Sequence, residues 1–153
     1  MIIRSATFED CPAIHTLICE IENCQLPYPR FAQIFQHQLE SDFYESLVCE
    51  DVGRILGVLN LRIEDQLHHT APMAEILEFA VAPQCRSLGI GRKMLAAACE
   101  TARTRGCEQI EVACNQLRTD AHRFYLREDM QNFHYRFSKN LLDDTPTENA
   151  LGR

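Results

Sequence analysis

The chain has 153 residues, of which 46% are hydrophobic, and its formal net charge at pH 7 is −7. This length and apolar content predict one globular domain with a sizeable core, and the negative charge argues against nucleic acid as a partner. No stretch approaches the roughly 20 apolar residues of a membrane helix and no signal peptide is visible, so we expect a cytoplasmic protein.

Hydrophobic periodicity and turn residues predict ten elements of secondary structure. In chain order they are a strand at 2–6, a helix at about 10–21, a helix at 31–39, strands at 44–49, 55–63 and 73–82, a helix at 93–105, a strand at 109–114, a helix at 121–128 and a strand at 133–137. Pro27-Tyr28-Pro29 is predicted to break the chain between the first two helices, and Asp120 to cap the last one. Adjacent antiparallel strands beside one strand–helix–strand crossover predict an α/β domain with a mixed sheet. We expect this domain to span residues 1–142, followed by a polar tail at 143–153.

Eight cysteines are scattered along the chain, and none of them forms a C-x-x-C pair. Most of them coincide with apolar positions, as Cys49 does after Leu47-Val48. This pattern predicts reduced thiols that pack as small hydrophobic side chains rather than disulfides.

The most informative segment is the loop at 84–92, which lies between a predicted strand and a predicted helix. Gly89 and Gly91 are one residue apart there, so the backbone can curl and point several N–H groups into one concavity at the positive end of the helix. Such a loop binds a pyrophosphate, and Arg86 and Arg92 add cationic donors at its rim. A Rossmann motif would need a third glycine, and a P-loop would need G-x-x-x-x-G-K-[ST]; neither pattern is present.

The longer pattern Val81-x-Pro83-x-x-Arg86-x-x-Gly89-x-Gly91 resembles the acetyl-CoA loop of the Gcn5-related N-acetyltransferase (GNAT) superfamily. The resemblance implies the GNAT fold, a central mixed and mostly antiparallel sheet flanked by helices, with acetyl-CoA as the cosubstrate. A dimer is common in this superfamily, so the resemblance also implies a homodimer. It assigns acetyl-CoA contacts to Phe79, Val81, Arg86, Ser87, Leu88, Gly89, Ile90, Gly91, Arg92 and Asn115.

A second motif lies in the last predicted helix, where Ala121, Phe124 and Tyr125 match the A-x-x-F-Y of the same superfamily. The superfamily continues with x-x-x-G-F, whereas this chain has Asp129-Met130. The resemblance implies that Tyr125 is the general acid that protonates the departing thiolate of coenzyme A, because a phenol of ordinary pKa near 10 is protonated at neutral pH. The alternative for Tyr125 is a structural side chain with its hydroxyl capped by the backbone.

Residues 120–141 contain D-A-H-R-F-Y-L-R-E and H-Y-R-F-S-K-N-L, which are similar to the C-terminal part of bacterial aminoalkylphosphonate N-acetyltransferases. That resemblance implies an acceptor with a primary amine and a phosphonate. Arg136, with His134 on the same face of the predicted last strand, is the main candidate for the phosphonate, and Arg62 and Arg30 are weaker ones. Tyr28 is expected to form a lid over the acceptor or a rigid turn.

The general base is expected among the glutamates of the strand at 73–82. A carboxylate among apolar residues has a raised pKa, and Glu78 is preferred over Glu75. Because their separation is odd, a regular strand places the two on opposite faces unless a bulge intervenes. Water without a dedicated base is the alternative.

Other interpretations stay open at this stage. His68-His69, near Glu64 and Asp65, could bind a divalent metal, or the pair could simply be exposed, since the ligand spacing of a structural zinc site is missing. Asn115 could bond the pantetheine arm or initiate a loop. The acceptor could be a polyamine, an amino acid or a peptide amine, and the chain could also be a regulatory module that binds CoA without turnover.

Overall fold

The computed structural model describes residues 1–142, which divide into two compact units at Val112 and Ala113. The first unit contains the following elements: β1 (Ile2–Ser5), α1 (Cys11–Glu22), α2 (Tyr28–Leu39), β2 (Tyr44–Asp51), β3 (Arg54–Gln66), β4 (Ala71–Val81), α3 (Ile90–Thr104) and β5 (Ile110–Val112). The described part of the second unit contains α4 (Thr119–Arg127). The predicted tail at 143–153 lies outside the described residues, and the single domain over 1–142 stays a prediction.

The five strands form one sheet in the order β1-β2-β3-β4-β5. The first three pairings are antiparallel, and β4 pairs with β5 in parallel. A parallel pair needs a crossover connection, which α3 supplies between β4 and β5. The structure therefore confirms the predicted mixed, mostly antiparallel sheet.

Helices α1 and α2 pack on one face of the sheet. Val48, Val58 and Ala80 stand opposite one another on β2, β3 and β4, and they form one core cluster with Ile14 of α1 and Phe35 of α2. The side chains that alternate with them point to the other face.

Helix α3 covers that other face. A Cβ atom on Gly57 would lie 2.7 Å from Sδ of the buried Met94 in α3, so a glycine on β3 lets helix and sheet approach closely. Within residues 1–142, every helix is too short or too polar to cross a membrane.

Three predicted helix starts were wrong. Tyr28 and Pro29 do not break the chain but form the first turn of α2. Proline is tolerated there because N–H groups in the first turn of a helix have no intrahelical acceptor, so its lack of an N–H costs no hydrogen bond. Helix α3 begins at Ile90, three residues before the predicted start. Arg118 is the N-cap of α4, whereas Asp120, the predicted cap, lies in the first turn of the helix.

The predicted final strand at 133–137 was also wrong. These residues have neither helical nor strand structure, and all five are exposed, including Phe133 at 75% and Phe137 at 92%. Alternation of apolar and polar residues satisfies the strand pattern, but a strand also needs a neighbour that accepts its backbone hydrogen bonds. No described strand pairs with this segment.

The structure agrees with the prediction of reduced thiols. All eight cysteines are free thiols, and Cys11, Cys19 and Cys49 are buried. Cys24 is the exposed exception.

Candidate active site

A β-bulge in β4 puts two carboxylates on one face of the sheet. The pairing of β3 with β4 steps from Asn60 opposite Glu78 to Leu61 opposite Ile76, so Leu77 is the extra residue. Glu75 stands opposite Arg62, which is two residues from Asn60 and therefore on the same face of β3. The bulge thus brings Glu75 and Glu78 to the face covered by α1 and α2, although their odd spacing in the sequence would place them on opposite faces of a regular strand.

Glu78 belongs to a hydrogen-bonded network that crosses three strands and reaches α2. Nδ2 of Asn60 donates to Oε2 of Glu78 at 2.8 Å and to Oε1 of Gln38 at 2.9 Å. Oγ of Ser46 donates to Oδ1 of Asn60 at 2.7 Å. Asn60 and Ser46 are buried, with 6% and 7% of their surface exposed. The network was missed from the sequence, although a polar residue between two apolar ones, Asn60 within Leu59-Asn60-Leu61, is the signal that could have revealed it.

The surroundings of Glu78 raise its pKa above the ordinary 4.5. Burial is the largest cause, because it disfavours the charged carboxylate. The hydrogen bond from Asn60 acts in the opposite direction, and the negative charge of Glu22 raises the pKa further. A carboxylate of raised pKa is a stronger base, which is what proton removal from an ammonium group requires.

Arg62, a weaker phosphonate candidate, is already engaged by carboxylates. Its Nη2 lies 2.6 Å from Oε2 of Glu75 and 3.4 Å from Oε1 of Glu64. Among the described residues, its Nε is also a buried donor without a hydrogen-bond partner. Two carboxylates neutralise this cation, so Arg62 is poorly suited to bind a further anion.

The edge of β4 beyond the bulge presents backbone donors away from β3. The N–H of Ala82 donates to the carbonyl of Leu56 at 2.8 Å, which fixes the alternation of this antiparallel pair. By that alternation, the N–H groups of Phe79 and Val81 point to the edge that β4 shares with β5. Strand β5 pairs with β4 over Ala74 to Ile76, before this stretch begins.

The glycine loop is exposed and sharply turned. Ser87 and Gly89 have positive φ values of 64° and 78°, so two residues adopt the left-handed conformation just before α3 begins. Nε of Arg86 donates to the carbonyl of Val81 at 3.3 Å, whereas Leu88 is 67% exposed. Ile90, buried at 2% exposure, anchors the start of α3 in the core. Gly91 and Arg92 follow in the first turn of that helix.

The second unit holds the predicted acid. Tyr125 is half-buried in α4, and burial raises the pKa of its hydroxyl to about 12, with Cys114 contributing in the same direction. No hydrogen bond within residues 113–142 caps this hydroxyl. Oδ1 of Asn115 accepts the N–H of Leu117 at 2.8 Å, which is the loop-initiating role, and its carbonyl accepts Nε2 of His122 at 2.8 Å.

The remaining candidates lie outside these groups. Arg136 and His134 are exposed on the segment that was predicted as a strand, so their common strand face is lost. Tyr28 packs edge-on against the ring of His15, 5.1 Å between centroids. His68 and His69 lie in the turn between β3 and β4, with ring centroids 4.2 Å apart. In residues 1–142, no group of three or more His, Cys, Asp or Glu residues could hold a metal ion, so the divalent-metal hypothesis gains no support.

Comparisons with known proteins identify the family and the fold. The model of the Acetyltransferase (GNAT) family matches residues 12–129. The chain is 39% identical over 140 residues to aminoalkylphosphonate N-acetyltransferase of Salmonella typhimurium, a match that covers 91% of this chain and 90% of that protein. A solved structure of a transcriptional regulator from Bacillus halodurans C-125 has a TM-score of 0.85 and 22% identity, and covers 92% of this chain and 99% of its own. Glucosamine-6-phosphate N-acetyltransferase from Arabidopsis thaliana has a TM-score of 0.78 and 19% identity, with 92% and 97% covered. These two structures show the shared fold.

Proposed function

The chain belongs to the Acetyltransferase (GNAT) family and is an N-acetyltransferase, and we propose that it acetylates the primary amine of a small aminoalkylphosphonate. The identity of 39% to the Salmonella typhimurium enzyme supports this acceptor. The observation that carries the chemistry is Glu78, a half-buried carboxylate of raised pKa held by Asn60. The amine attacks acetyl-CoA directly in a ternary complex.

Glu78 acts as the general base. An amine must lose a proton before it can attack a thioester, and a carboxylate whose pKa is raised by burial accepts that proton directly or through one water molecule. Its neighbour Glu75 is tied to Arg62, so Glu78 is the better candidate of the two. We expect Glu78→Gln to keep the hydrogen bond from Asn60 and to lose the base.

Tyr125 acts as the general acid toward the departing thiolate. A hydroxyl with a pKa of about 12 is protonated at neutral pH, so it can donate a hydrogen bond or a proton to sulfur. Tyr125→Phe should lower kcat on the order of 10²–10⁴-fold and leave the affinity for CoA nearly intact. Unchanged turnover would remove the assignment.

Acetyl-CoA is held by backbone donors. The N–H groups of residues 87–91 bind the diphosphate at the N-terminus of α3, and Arg86 and Arg92 supply charge. The N–H groups of Phe79 and Val81 bind the thioester carbonyl and the pantetheine arm, to which Asn115 contributes. The positive φ values of Ser87 and Gly89 support this assignment, because such a loop can present consecutive N–H groups to one anion.

The acceptor needs a cation for its phosphonate, and Arg136 with His134 is assigned that role. Arg62 is neutralised by Glu64 and Glu75, which favours a cation from another part of the chain. Tyr28, at the start of α2, is assigned to the acceptor side. Arg136→Ala should raise KM for an aminoalkylphosphonate and leave KM for an uncharged alkylamine unchanged. If the natural acceptor is a polyamine, the same substitution should instead lower KM.

Thiol release from acetyl-CoA, measured against a panel of amines with and without a divalent metal, tests the whole proposal. The panel contains an aminoalkylphosphonate, the matching aminoalkane without phosphonate, a polyamine, an amino acid and a peptide. Fastest release with the aminoalkylphosphonate is expected. Fastest release with another amine would contradict the acceptor. CoA binding without release for any amine would indicate the regulatory module instead.

The cytoplasmic location and the homodimer remain proposals. Exposed Phe133, Tyr135 and Phe137 form an apolar segment of the kind that protein contacts cover, which supports self-association. Light scattering on the purified chain should give the mass of two copies; the mass of one copy at all concentrations would exclude the dimer.

A further inference from the structure

Asn60 has every hydrogen-bonding group of its side chain occupied. Both hydrogens of the amide nitrogen are donated, one to Glu78 and one to Gln38, and the amide oxygen accepts from Ser46. The side chain is buried, so a rotated amide would place its oxygen against the oxygens of Glu78 and Gln38 at a high cost in free energy. The amide therefore has one orientation, with its nitrogen toward Glu78.

We propose that Asn60 is the positioning residue of the general base: it aims the carboxylate of Glu78, and Ser46 and Gln38 lock the amide of Asn60 that does so. This inference rests on the proposed role of Glu78 as the base. Ser46 is on β2 and Gln38 is on α2, so the orientation of Glu78 depends on three elements besides its own strand.

A neutral amide suits this task better than a charged group. A Lys or Arg donor would hold the carboxylate firmly but would lower its pKa strongly and weaken it as a base. The hydrogen bond from Asn60 lowers the pKa of Glu78 less than burial raises it, so the carboxylate is held and stays basic. The other charges near it in the first unit are Glu22 of α1 and, one cross-strand pair further along the sheet, Arg62 and Glu75.

The titration of Glu78 distinguishes a positioning role of Asn60 from a purely structural role. A residue that merely fills the core changes the stability of the protein when it is replaced, and its loss lowers the pKa of a neighbouring carboxyl if it admits water. Loss of a hydrogen bond to the carboxylate raises that pKa instead. A positioning residue changes both the proton affinity and kcat. The apolar neighbour Val58 provides the matched control, because it lies on the same face of β3, two residues away, and is also buried.

Asn60→Leu tests the inference, with carbon-13 NMR titration of the Glu78 carboxyl as the direct readout and Glu78→Gln to assign the signal. Loss of the hydrogen bond should raise the pKa of Glu78 by about one to two units. The acidic limb of the pH profile of kcat should move up equally, and kcat at neutral pH should fall about tenfold with KM for acetyl-CoA unchanged. Val58→Ala should alter neither the pKa nor the limb.

A folded Asn60→Leu protein with an unchanged Glu78 titration would overturn the inference. If Asn60→Leu fails to fold, Ser46→Ala and Gln38→Leu test the inference instead. Each removes one hydrogen bond that holds the amide of Asn60, and each should raise the pKa of Glu78 by a smaller amount. An unchanged pKa of Glu78 in both variants would refute the proposal. The NMR readout needs no turnover. Absence of acetyl transfer by the unaltered protein would therefore count against the proposed function, and an unshifted titration would count against Asn60.

Discussion

Two neighbouring rows of side chains on one face of the sheet have opposite characters. Val48, Val58 and Ala80 form an apolar row against α1 and α2. The next row, Ser46, Asn60 and Glu78, is polar although its first two members are also buried. Burial of polar groups is tolerated when each is hydrogen-bonded, but it gains less stability than apolar packing. The first row therefore stabilises the fold through apolar packing, whereas the second row contributes less stability and contains the proposed general base.

The largest expected effect is on kcat, and it distinguishes a substitution in the polar row from one in the apolar row. Glu78→Gln should lower kcat on the order of 10²–10⁴-fold, because it removes the proposed base while retaining an acceptor for Asn60. Val58→Ala should leave kcat unchanged and lower the free energy of unfolding by about 2 kcal/mol, through lost burial and a cavity. Steady-state kinetics and urea unfolding of both variants check this. A loss of activity in Val58→Ala equal to that in Glu78→Gln would contradict the division between the rows.

The pH dependence of stability contrasts Glu78 with a carboxylate that does stabilise the fold. Two hydrogen bonds from the Arg4 guanidinium, at 2.8 and 2.9 Å, lower the pKa of Asp10 below 3.8. Asp10 therefore contributes stability above its unfolded pKa and loses it as the pH falls through its folded value. The raised pKa of Glu78 acts in the reverse sense: stability is lost as the pH rises from about 4.5 through the folded value.

Asp10→Asn should thus destabilise the protein by about 2 kcal/mol at pH 7, because Arg4 keeps its contact with Glu50, and progressively less as the pH falls toward acid. Glu78→Gln should be as stable as the unaltered protein below pH 4.5 and more stable at pH 7. Unfolding by urea at a series of pH values measures both differences. Parallel stability curves for the unaltered protein and Glu78→Gln would show that Glu78 carries no burial penalty.

A substitution on the opposite face of the sheet tests whether the packing against α3 is as tight as the packing of the apolar row. Gly57→Ala should lower the free energy of unfolding by about 2 kcal/mol, because the new Cβ meets Sδ of Met94 at 2.7 Å and the carbonyl of Ala80 at 3.1 Å. Thermal unfolding measures the loss. Pairing Gly57→Ala with Met94→Ala should restore part of it, and failure of that double variant to recover stability would contradict the close approach of α3.

The smallest expected effect lies outside the sheet, in the glycine loop. Gly89→Ala should cost about 1 kcal/mol of backbone strain at its φ of 78°, and should raise KM for acetyl-CoA because the loop can no longer present its N–H groups in the same way. Gly106→Ala is the matched control, since Gly106 has a φ of 80° and lies beyond the other end of α3. Equal KM values for the two variants would argue against diphosphate binding by the loop.

The sequence predicted the mixed sheet because its strands are long and strongly patterned, and a single strand–helix–strand crossover was readable from the glycine loop and α3. The strand predicted at 133–137 was wrong, although Phe133, Tyr135 and Phe137 alternate with polar residues as clearly as in a true strand. Alternation describes which face each side chain takes, whereas pairing depends on a partner that local sequence does not specify.

Local sequence by itself determined the two motifs and the acidic residues near the bulge, since each depends on residue types a few positions apart. Only the tertiary structure decided that Glu75 and Glu78 share a face, because a one-residue bulge at Leu77 reverses the alternation and can be seen only in the pairing with β3. The tertiary structure also joined Gln38, Ser46, Asn60 and Glu78, which come from four different elements. A hydrogen bond between residues far apart in the chain exists only once folding has placed its donor beside its acceptor.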